Sequence, residues 1–583
     1  MLDALEKEPA AKVHSLIVLK DGKIISEVSA PGYSRNIWHL SHSMSKSVTG
    51  MAIGLLVDEG RLEISQRLVD FFPELKSSDK RFSSITVEHL LTMTSGVKFS
   101  EAGSVTDDKW TESFFSSPMS SAPGESFRYN SMNSYMLARI AVHISGESLS
   151  DYLRPRLFEP LGIKNFFWEK SPEGIEKGGW GLYLSAEGWA RLGELYLNGG
   201  ELNGKRIISE RWVKESTSQK VHTPSDKGDF DYGYQIWVGR DGKDFLFNGM
   251  LGQNVWVQKD KRLVVSLNSG NNELFQKSPA LGIIRRELSD IDGVDGKISH
   301  IKLRRAEADF FEARRALIPL KPRRTLATLL RLRPREPFSR EFEPILGEYL
   351  IQSNNAGILP LFVRLMQANY CGGIERIFLL REGERLFFVS REGGVDLKIE
   401  LGIYGYKETV LDFRGEKYIV RALAESVTEG DRTVSNIELS FPELPNTREI
   451  SLSFYENGKI KLDMSETPNH KTVEPFFERL PENNPKISFV LDMLEKRLGR
   501  GFALGKVKAA FAPSLIGASV KSQSCDSIIE AAELATTQEM EKTKLIVSLI
   551  ERFIFIDDGD EPEATDEKSE KKRGFFSRLF SKK

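Results

Sequence analysis

Ser43 and Lys46 stand three residues apart in Leu40-Ser-His-Ser-Met-Ser-Lys-Ser47. Three residues apart on a helix is one face, so the hydroxyl and the amine can touch. A serine attacks a carbonyl only when something removes its proton, and a lysine held uncharged by its surroundings can do so. A serine at a helix start also has backbone N–H dipoles aimed where negative charge develops. The same spacing recurs at Ser77/Lys80, Ser95/Lys98, Ser299/Lys302 and Ser569/Lys572. Only after Ser43 does an apolar stripe follow, with Val48, Met51, Ala52, Leu55 and Leu56 at helical spacing and Gly60 as the stop.

Other chemistries lack their residues. The chain has no GxSxG elbow and no HExxH helix, and Gly199-Gly-Glu-Leu-Asn-Gly-Lys-Arg206 ends in arginine where a phosphate loop needs Ser or Thr. Its Asn203-Gly204 reads as a hairpin turn. Two cysteines, Cys371 and Cys525, stand far apart, so neither a disulfide framework nor a structural zinc site is expected. No cofactor and no metal is expected. A net charge of −2 over 583 residues gives no global attraction to nucleic acid. The first residues lack a basic and apolar leader, and the longest apolar run, Leu545 to Ile556, contains Glu551 and Arg552. A cytoplasmic protein is the expectation.

The elements that must hold the pair are legible around it. Val13–Leu19 and Lys23–Val28 flank Asp21-Gly22, a hairpin signal. Helices are expected near Ser131–Ser145, Leu149–Leu157 and Ala186–Leu197, and strands return at Gly233–Val238, Gln253–Gln258 and Leu263–Asn268. Strands from both ends of a segment with helices between them make an α+β layering over residues 1–290.

The text around these residues resembles the serine β-lactamase and penicillin-binding superfamily, in its class C-related branch of esterases, D-amino-peptidases and aminohexanoate-oligomer hydrolases. The nucleophile helix is Ser43 to Leu62. Val87-Glu-His-Leu-Leu-Thr-Met-Thr-Ser-Gly96 is similar to the branch's HLLTHTSG segment, and Pro123-Gly-Glu-Ser-Phe-Arg-Tyr-Asn-Ser131 to the segment carrying its tyrosine. Gly178-Gly-Trp-Gly-Leu-Tyr-Leu-Ser-Ala-Glu-Gly-Trp-Ala-Arg-Leu-Gly193 and Asn248-Gly-Met-Leu-Gly-Gln253 look like later landmarks, so the resemblance spans residues 10–285. It implies a β-lactamase-like fold and a serine hydrolase working through an acyl-enzyme on an ester or amide, a small peptide or β-lactam included. Ser43 would be acylated, Lys46 would take its proton, and Tyr129 would relay a proton to the leaving group. The backbone N–H groups of Ser43 and Met250 would form the oxyanion hole, with Ser131, Asn248 and Gly249 lining the oxyanion and substrate-binding region. One departure matters: where the branch carries KTG or HxG, this chain reads Phe247-Asn-Gly249. Phe247 cannot grip a substrate carboxylate, so a neutral ester or amide is expected over a penicillin. A non-catalytic binding or scaffold protein that kept the fold is the rival reading.

Beyond residue 290 the composition changes. A basic helical linker is expected at 291–340, where residues 302–335 hold eleven Lys/Arg against three acids. Short apolar segments between Gly, Asn and Pro make 341–480 a β-rich accessory domain, a small barrel or sandwich. Residues 481–556 read as a helical segment. In 557–583, an acidic stretch precedes a basic tail, 571–583, whose Phe575, Phe576, Leu579 and Phe580 would line one face of a short helix. That tail is a candidate contact with a protein or with the inner membrane surface.

Overall fold

Val13–Lys20 (β1) is buried along nearly its whole length, whereas its hairpin partner Lys23–Ser29 (β2) is only partly buried. A strand covered on both faces belongs in the middle of a sheet, and β1 pairs β2 on one side and Leu263–Ser269, the last strand of this sheet, on the other. Asp21 and Gly22 turn the hairpin at φ +50° and +73°, the left-handed pair that an Asp-Gly turn supplies. A computed structural model of the protein describes residues 1–30, 32–33, 37–99, 104, 108–224, 228–273, 278–289, 291, 340–367, 373–473, 502–523 and 525–530. The chain divides into two compact units, Met1–Leu317 with Glu443–Pro445, and Ile318–Pro442 with Asn446–Lys583.

The first unit is built on a seven-stranded antiparallel sheet. After β1 and β2 come two small sheets, made by Trp38–Leu40 (β3), Phe167–Trp168 (β4) and Leu182–Ser185 (β5), and by Glu201–Leu202 (β6) and Lys205–Arg206 (β7). The large sheet then resumes with Phe230–Tyr232 (β8), Trp237–Gly239 (β9), Asp244–Gly249 (β10), Gln253–Gln258 (β11) and Leu263–Ser269 (β12), in the order β2-β1-β12-β11-β10-β9-β8. The two ends of the segment therefore share one sheet, as the sequence suggests. On one face the helices Leu2–Lys7 (α1) and Pro279–Glu287 pack into a core with Leu16, Val18, Leu246, Trp256 and Val265. Asn203-Gly204 does turn the β6–β7 hairpin. Gly233–Ile236, expected as strand, is instead a turn with Gln235 at φ +60°, so β9 begins only at Trp237.

Ser45–Asp58 (α2) departs from its sequence pattern. The spacing reads as a one-sided stripe, yet every residue from Ser45 to Leu56 is buried. Its polar positions are satisfied inside the protein: Ser47 Oγ donates to Gln235 O (3.0 Å) and Thr49 Oγ1 to Gly178 O (2.7 Å). Gly50 lies close to the Tyr234 and Gln235 backbone and side chain, and Gly54 lies against the Trp212 indole, so neither position has room for a larger residue. Around α2 stand Ser131–Ser145 (α3), capped at its end by Gly146 at φ +74°, and Ala186–Leu197 (α4), whose start is capped by Ser185. The expected Leu149–Leu157 helix is α-helical over Leu149–Leu153 and continues as a π-helical turn, Arg154–Phe158.

The second unit is one ten-stranded antiparallel sheet. Its strands are Gly347–Ile351 (β13), Ile374–Glu382 (β14), Arg385–Glu392 (β15), Val395–Leu401 (β16), Lys407–Phe413 (β17), Glu416–Glu429 (β18), Arg432–Ser440 (β19), Thr447–Tyr455 (β20), Lys459–Thr467 (β21) and Ser514–Ser519 (β22). The order β16-β15-β14-β13-β22-β21-β20-β19-β18-β17 leaves β16 and β17 as the two edges. They meet: Glu400 N donates to Thr409 Oγ1 (3.1 Å), and Gly402, just past β16, bonds to Ala422 and Ala424 of β18. A sheet whose edges join is a barrel, which removes exposed edges. Strand β22 corrects the reading of 481–556 as helical in its described part: Phe502–Phe511 is a helix, but Ser514–Ser519 fills the gap between β13 and β21, and residues 481–501 and 531–556 lie outside the described residues. Six residues bounded by Pro513 are too few for periodicity to separate strand from helix, and pairing decided. The basic linker and the 571–583 tail lie outside the described residues, and among the described residues no helix is long and apolar enough to cross a membrane.

Within this unit four charges are buried together. Arg448 Nη1 donates to Glu466 Oε2 (2.6 Å), with both side chains at 1% exposure or less. Glu466 also accepts from Leu361 N and Phe362 N, and Glu392 from Ile358 N and Ser390 Oγ. Arg364 Nη1 donates to Asn355 O (3.1 Å). The network ties the 354–364 segment to strands β15, β20 and β21.

Candidate active site

Ser43 sits in a single 3₁₀ turn, His42–Met44, that runs directly into α2. The turn is tied down from both sides: Ser41 N donates to Leu182 O (2.9 Å), Trp189 Nε1 to Ser41 Oγ (2.7 Å) and Ser45 Oγ to His42 O (2.7 Å). His42 is held at φ +47°, an unfavourable conformation for a residue with a Cβ. Met93, Gln235 and Leu251 share this left-handed geometry. Backbone strain of this kind costs about 1–3 kcal/mol per residue and collects at functional sites.

Lys46 lies on the first turn of α2 and is 1% exposed. Its Nζ donates to Ser43 Oγ (2.9 Å), Ser131 Oγ (2.7 Å) and Gly179 O (2.8 Å), three neutral oxygens from three separate parts of the chain. It also stands 4.8 Å from the centre of the Tyr129 ring. The half-buried Tyr129 stacks on Trp237 (5.7 Å, 24°) and meets Tyr232 edge-on (6.3 Å). Arg128 N donates to Met93 O (2.8 Å), which fixes the backbone just before the tyrosine. Asn130, between Tyr129 and Ser131, caps α3 through Met132 N and donates to Val97 O and Phe99 O.

Gly249 closes the site from the sheet. It ends β10, and a Cβ there would collide with Ser41 O and come within 3.4 Å of Met44 N. The absence of a side chain lets the strand touch the turn that carries Ser43. Pairing between β10 and β11 ends at Gly249↔Gln253, which leaves the Met250 N–H beyond the ladder. Leu251 N then donates to Glu273 O (2.9 Å), and burial pushes the Glu273 carboxyl up to about 7.

The structure thus brings Ser43, Lys46, Tyr129, Ser131, Gly249 and Met250 into one region. Two of the expected positions differ in detail. Ser131, grouped with the oxyanion and substrate-binding residues, has its hydroxyl on Lys46. Asn248 has its side chain on the face of β10 opposite Gly249, where its Oδ1 accepts from Asn254 Nδ2 (2.7 Å). Alternation along a strand sends neighbouring side chains to opposite faces, so Gly249 facing the Ser41–Met44 segment turns Asn248 away. Phe247 is fully buried beside Tyr196 (5.6 Å) and Trp189 (6.5 Å), so no cation stands at that point of β10. The Gly179 carbonyl escaped sequence reasoning as a partner of Lys46. The Gly-Gly-Trp-Gly run around it is visible in the sequence, but a backbone acceptor carries no residue-type signal.

Two buried histidines lie in and beside the turn. His39 and His42 are fully buried, and desolvation lowers them to about 4 and about 3. His39 shares a 3.1 Å hydrogen bond with His14. Among the described residues no group of three or more His, Cys, Asp or Glu could hold a metal ion.

Residues 2–279 match the family model described as Beta-lactamase. A protein named 6-aminohexanoate-dimer hydrolase, from Paenarthrobacter ureafaciens, is 27% identical over 289 residues, covering 44% of this chain and 72% of that protein. Protein flp from Staphylococcus aureus (strain MW2) is 26% identical over 168 residues, which span 26% of this chain and about a third (34%) of that protein. Among solved structures, the D-amino acid amidase from Ochrobactrum anthropi SV3 aligns with a TM-score of 0.41 at 17% identity, over 50% of this chain and 98% of that one. Residues 2–279 therefore carry a segment that matches the beta-lactamase family model and is similar to a protein named as a hydrolase.

Proposed function

We propose that this protein is an acyl-transfer hydrolase in which Ser43 is acylated by a neutral ester or amide and then released by water. The observation that carries the proposal is the Lys46 Nζ–Ser43 Oγ contact of 2.9 Å, made by a lysine that is 1% exposed. In its uncharged form Lys46 takes the Ser43 proton as Oγ bonds to the substrate carbonyl carbon. The carbonyl oxygen gains negative charge beside the N–H groups of Ser43 and Met250. Collapse breaks the bond to the leaving alcohol or amine, which receives a proton through Tyr129, close to Lys46. Water then attacks the Ser43 ester, its proton returns through the same groups, and Oγ leaves as the restored hydroxyl.

Substrate charge follows from Phe247. A carboxylate-bearing substrate would find an aromatic ring buried against Trp189 and Tyr196 at the point where a cation would be needed. The relative's name adds an amide of an amino acid to the compounds worth testing. The test is intact-protein mass spectrometry after treatment with a fluorophosphonate or an activated neutral ester. One adduct, lost in Ser43→Ala, is expected. An adduct on another serine, or none under any condition, overturns the proposal in favour of a non-catalytic protein on the same fold. Ser43→Ala, Lys46→Ala and Tyr129→Phe should each lower turnover by orders of magnitude, with combined losses far from additive.

A further inference from the structure

Behind the Gly179 carbonyl lies a second charged pair. Lys177 Nζ donates to Glu169 Oε2 (2.7 Å), with side chains 7% and 10% exposed, and Tyr183 OH donates to Glu169 Oε1 (3.1 Å). The pair closes a narrow loop at the backbone too, since Lys177 N donates to Glu169 O (3.0 Å) and Glu169 N to Gly181 O (2.9 Å). Two further steps lead to the site. Gly179 N donates to Lys177 O (2.6 Å), and Gly179 O accepts from Lys46 Nζ (2.8 Å). Between them Gly178 and Gly181 hold φ +64° and +83°, conformations that small residues adopt but do not enforce. Thr49 Oγ1 also donates to Gly178 O and Trp168 Nε1 to Trp180 O (2.9 Å), so this glycine-rich backbone is set by those bonds together with the ion pair at its end.

We infer that the Glu169–Lys177 ion pair is a positioning element for Lys46, setting the Gly179 carbonyl that holds the amine against Ser43. The inference rests on the acyl-transfer reading for its catalytic consequence, but the placement of Lys46 can be measured without it. Glu169 and Lys177 are buried and act through the backbone of residues 177–179. Removing one partner leaves a buried charge alone and endangers folding, whereas removing both leaves none. The informative protein is therefore the full chain carrying Glu169→Gln and Lys177→Met together, with Lys177→Arg as the conservative variant.

Two measurements are made on it. Competitive acetylation of lysines across pH, read by peptide mass spectrometry, gives the titration of Lys46 whether or not Ser43 reacts. In the double variant the Lys46 midpoint should fall, because its ammonium form loses a well-placed acceptor while the net charge nearby is unchanged. Fluorophosphonate labelling of Ser43 should slow about 10- to 100-fold with the KM for a neutral ester held, as expected when a catalytic group drifts by up to an ångström. Lys177→Arg should restore much of both. A folded double variant with a wild-type Lys46 midpoint overturns the inference, as does slower labelling that follows thermal stability alone. Wild-type protein that takes no label at Ser43 overturns the acyl-transfer reading instead, and the lysine titration still decides the positioning role.

Discussion

Replacing Gly179 with alanine tests how tightly the Lys46 acceptors are set. A Cβ at that position would lie 2.7 Å from Ser131 O and 2.8 Å from Ser131 Cβ, where ordinary contact begins at 3.4 Å. The obstacle is the first turn of α3 rather than a flexible side-chain tip, so a displacement of about 0.7 Å must be shared between Gly179 and Ser131. Both hold Lys46, at 2.8 and 2.7 Å, and a shift of that size takes either bond to the edge of hydrogen-bond distance. Overpacking of this kind costs about 1–3 kcal/mol of stability. Misplacing a catalytic group by about an ångström costs up to ~10²-fold in rate, so acylation should fall by about 10- to 100-fold. Gly174→Ala is the control: its φ of +77° imposes strain of about 1–2 kcal/mol, but nothing lies within 4 Å of the new methyl. Urea melts and timed fluorophosphonate labelling, done on both variants, separate stability from chemistry. Gly179→Ala that acylates at the wild-type rate, or Gly174→Ala that loses as much, refutes the reasoning.

Acid should weaken the fold before it reaches the carboxylates. His39 is lowered to about 4 and His42 to about 3, against 6.5 for an exposed histidine, so between pH 6.5 and 4 the unfolded chain binds protons that the native state refuses. Stability is therefore full above pH 6.5 and falls as the pH drops, by about 3 kcal/mol for His39 alone; thermal melts at pH 7 and 5 should show it, and His42→Asn, which tolerates φ +47°, should shrink the difference. Phe247→Lys should not create recognition of carboxylate substrates. It buries an ammonium beside Trp189 and Tyr196, and the measured outcome should be a lower Tm with no gain in kcat/KM for an acidic ester. In the barrel, Arg448→Met leaves Glu466 buried without its cation and should cost about 3–5 kcal/mol, whereas Arg448→Met with Glu466→Gln should cost much less, as read by denaturant melts of the full chain.

Ser43 and Lys46 were legible because their contact is local: one helical turn places them together wherever that helix sits. The β1–β2 and β6–β7 hairpins were legible for the same reason, since Asp-Gly and Asn-Gly specify the turn from two residues. Tyr129 and Ser131 reached the site only through the resemblance of their segment, because 85 residues separate Ser131 from Lys46 and no local rule spans that distance. What tertiary structure alone decided is nonlocal and carried by backbone or by space. Gly179 offers only a carbonyl, and the value of Gly249 lies in the side chain it lacks beside Ser41. Asn248 has the right chemistry for a site residue, but the register of β10 turns it to the opposite face. Strand β22 exists because β13 and β21 leave it a place to pair, and a short apolar segment takes the structure its neighbours can hydrogen-bond.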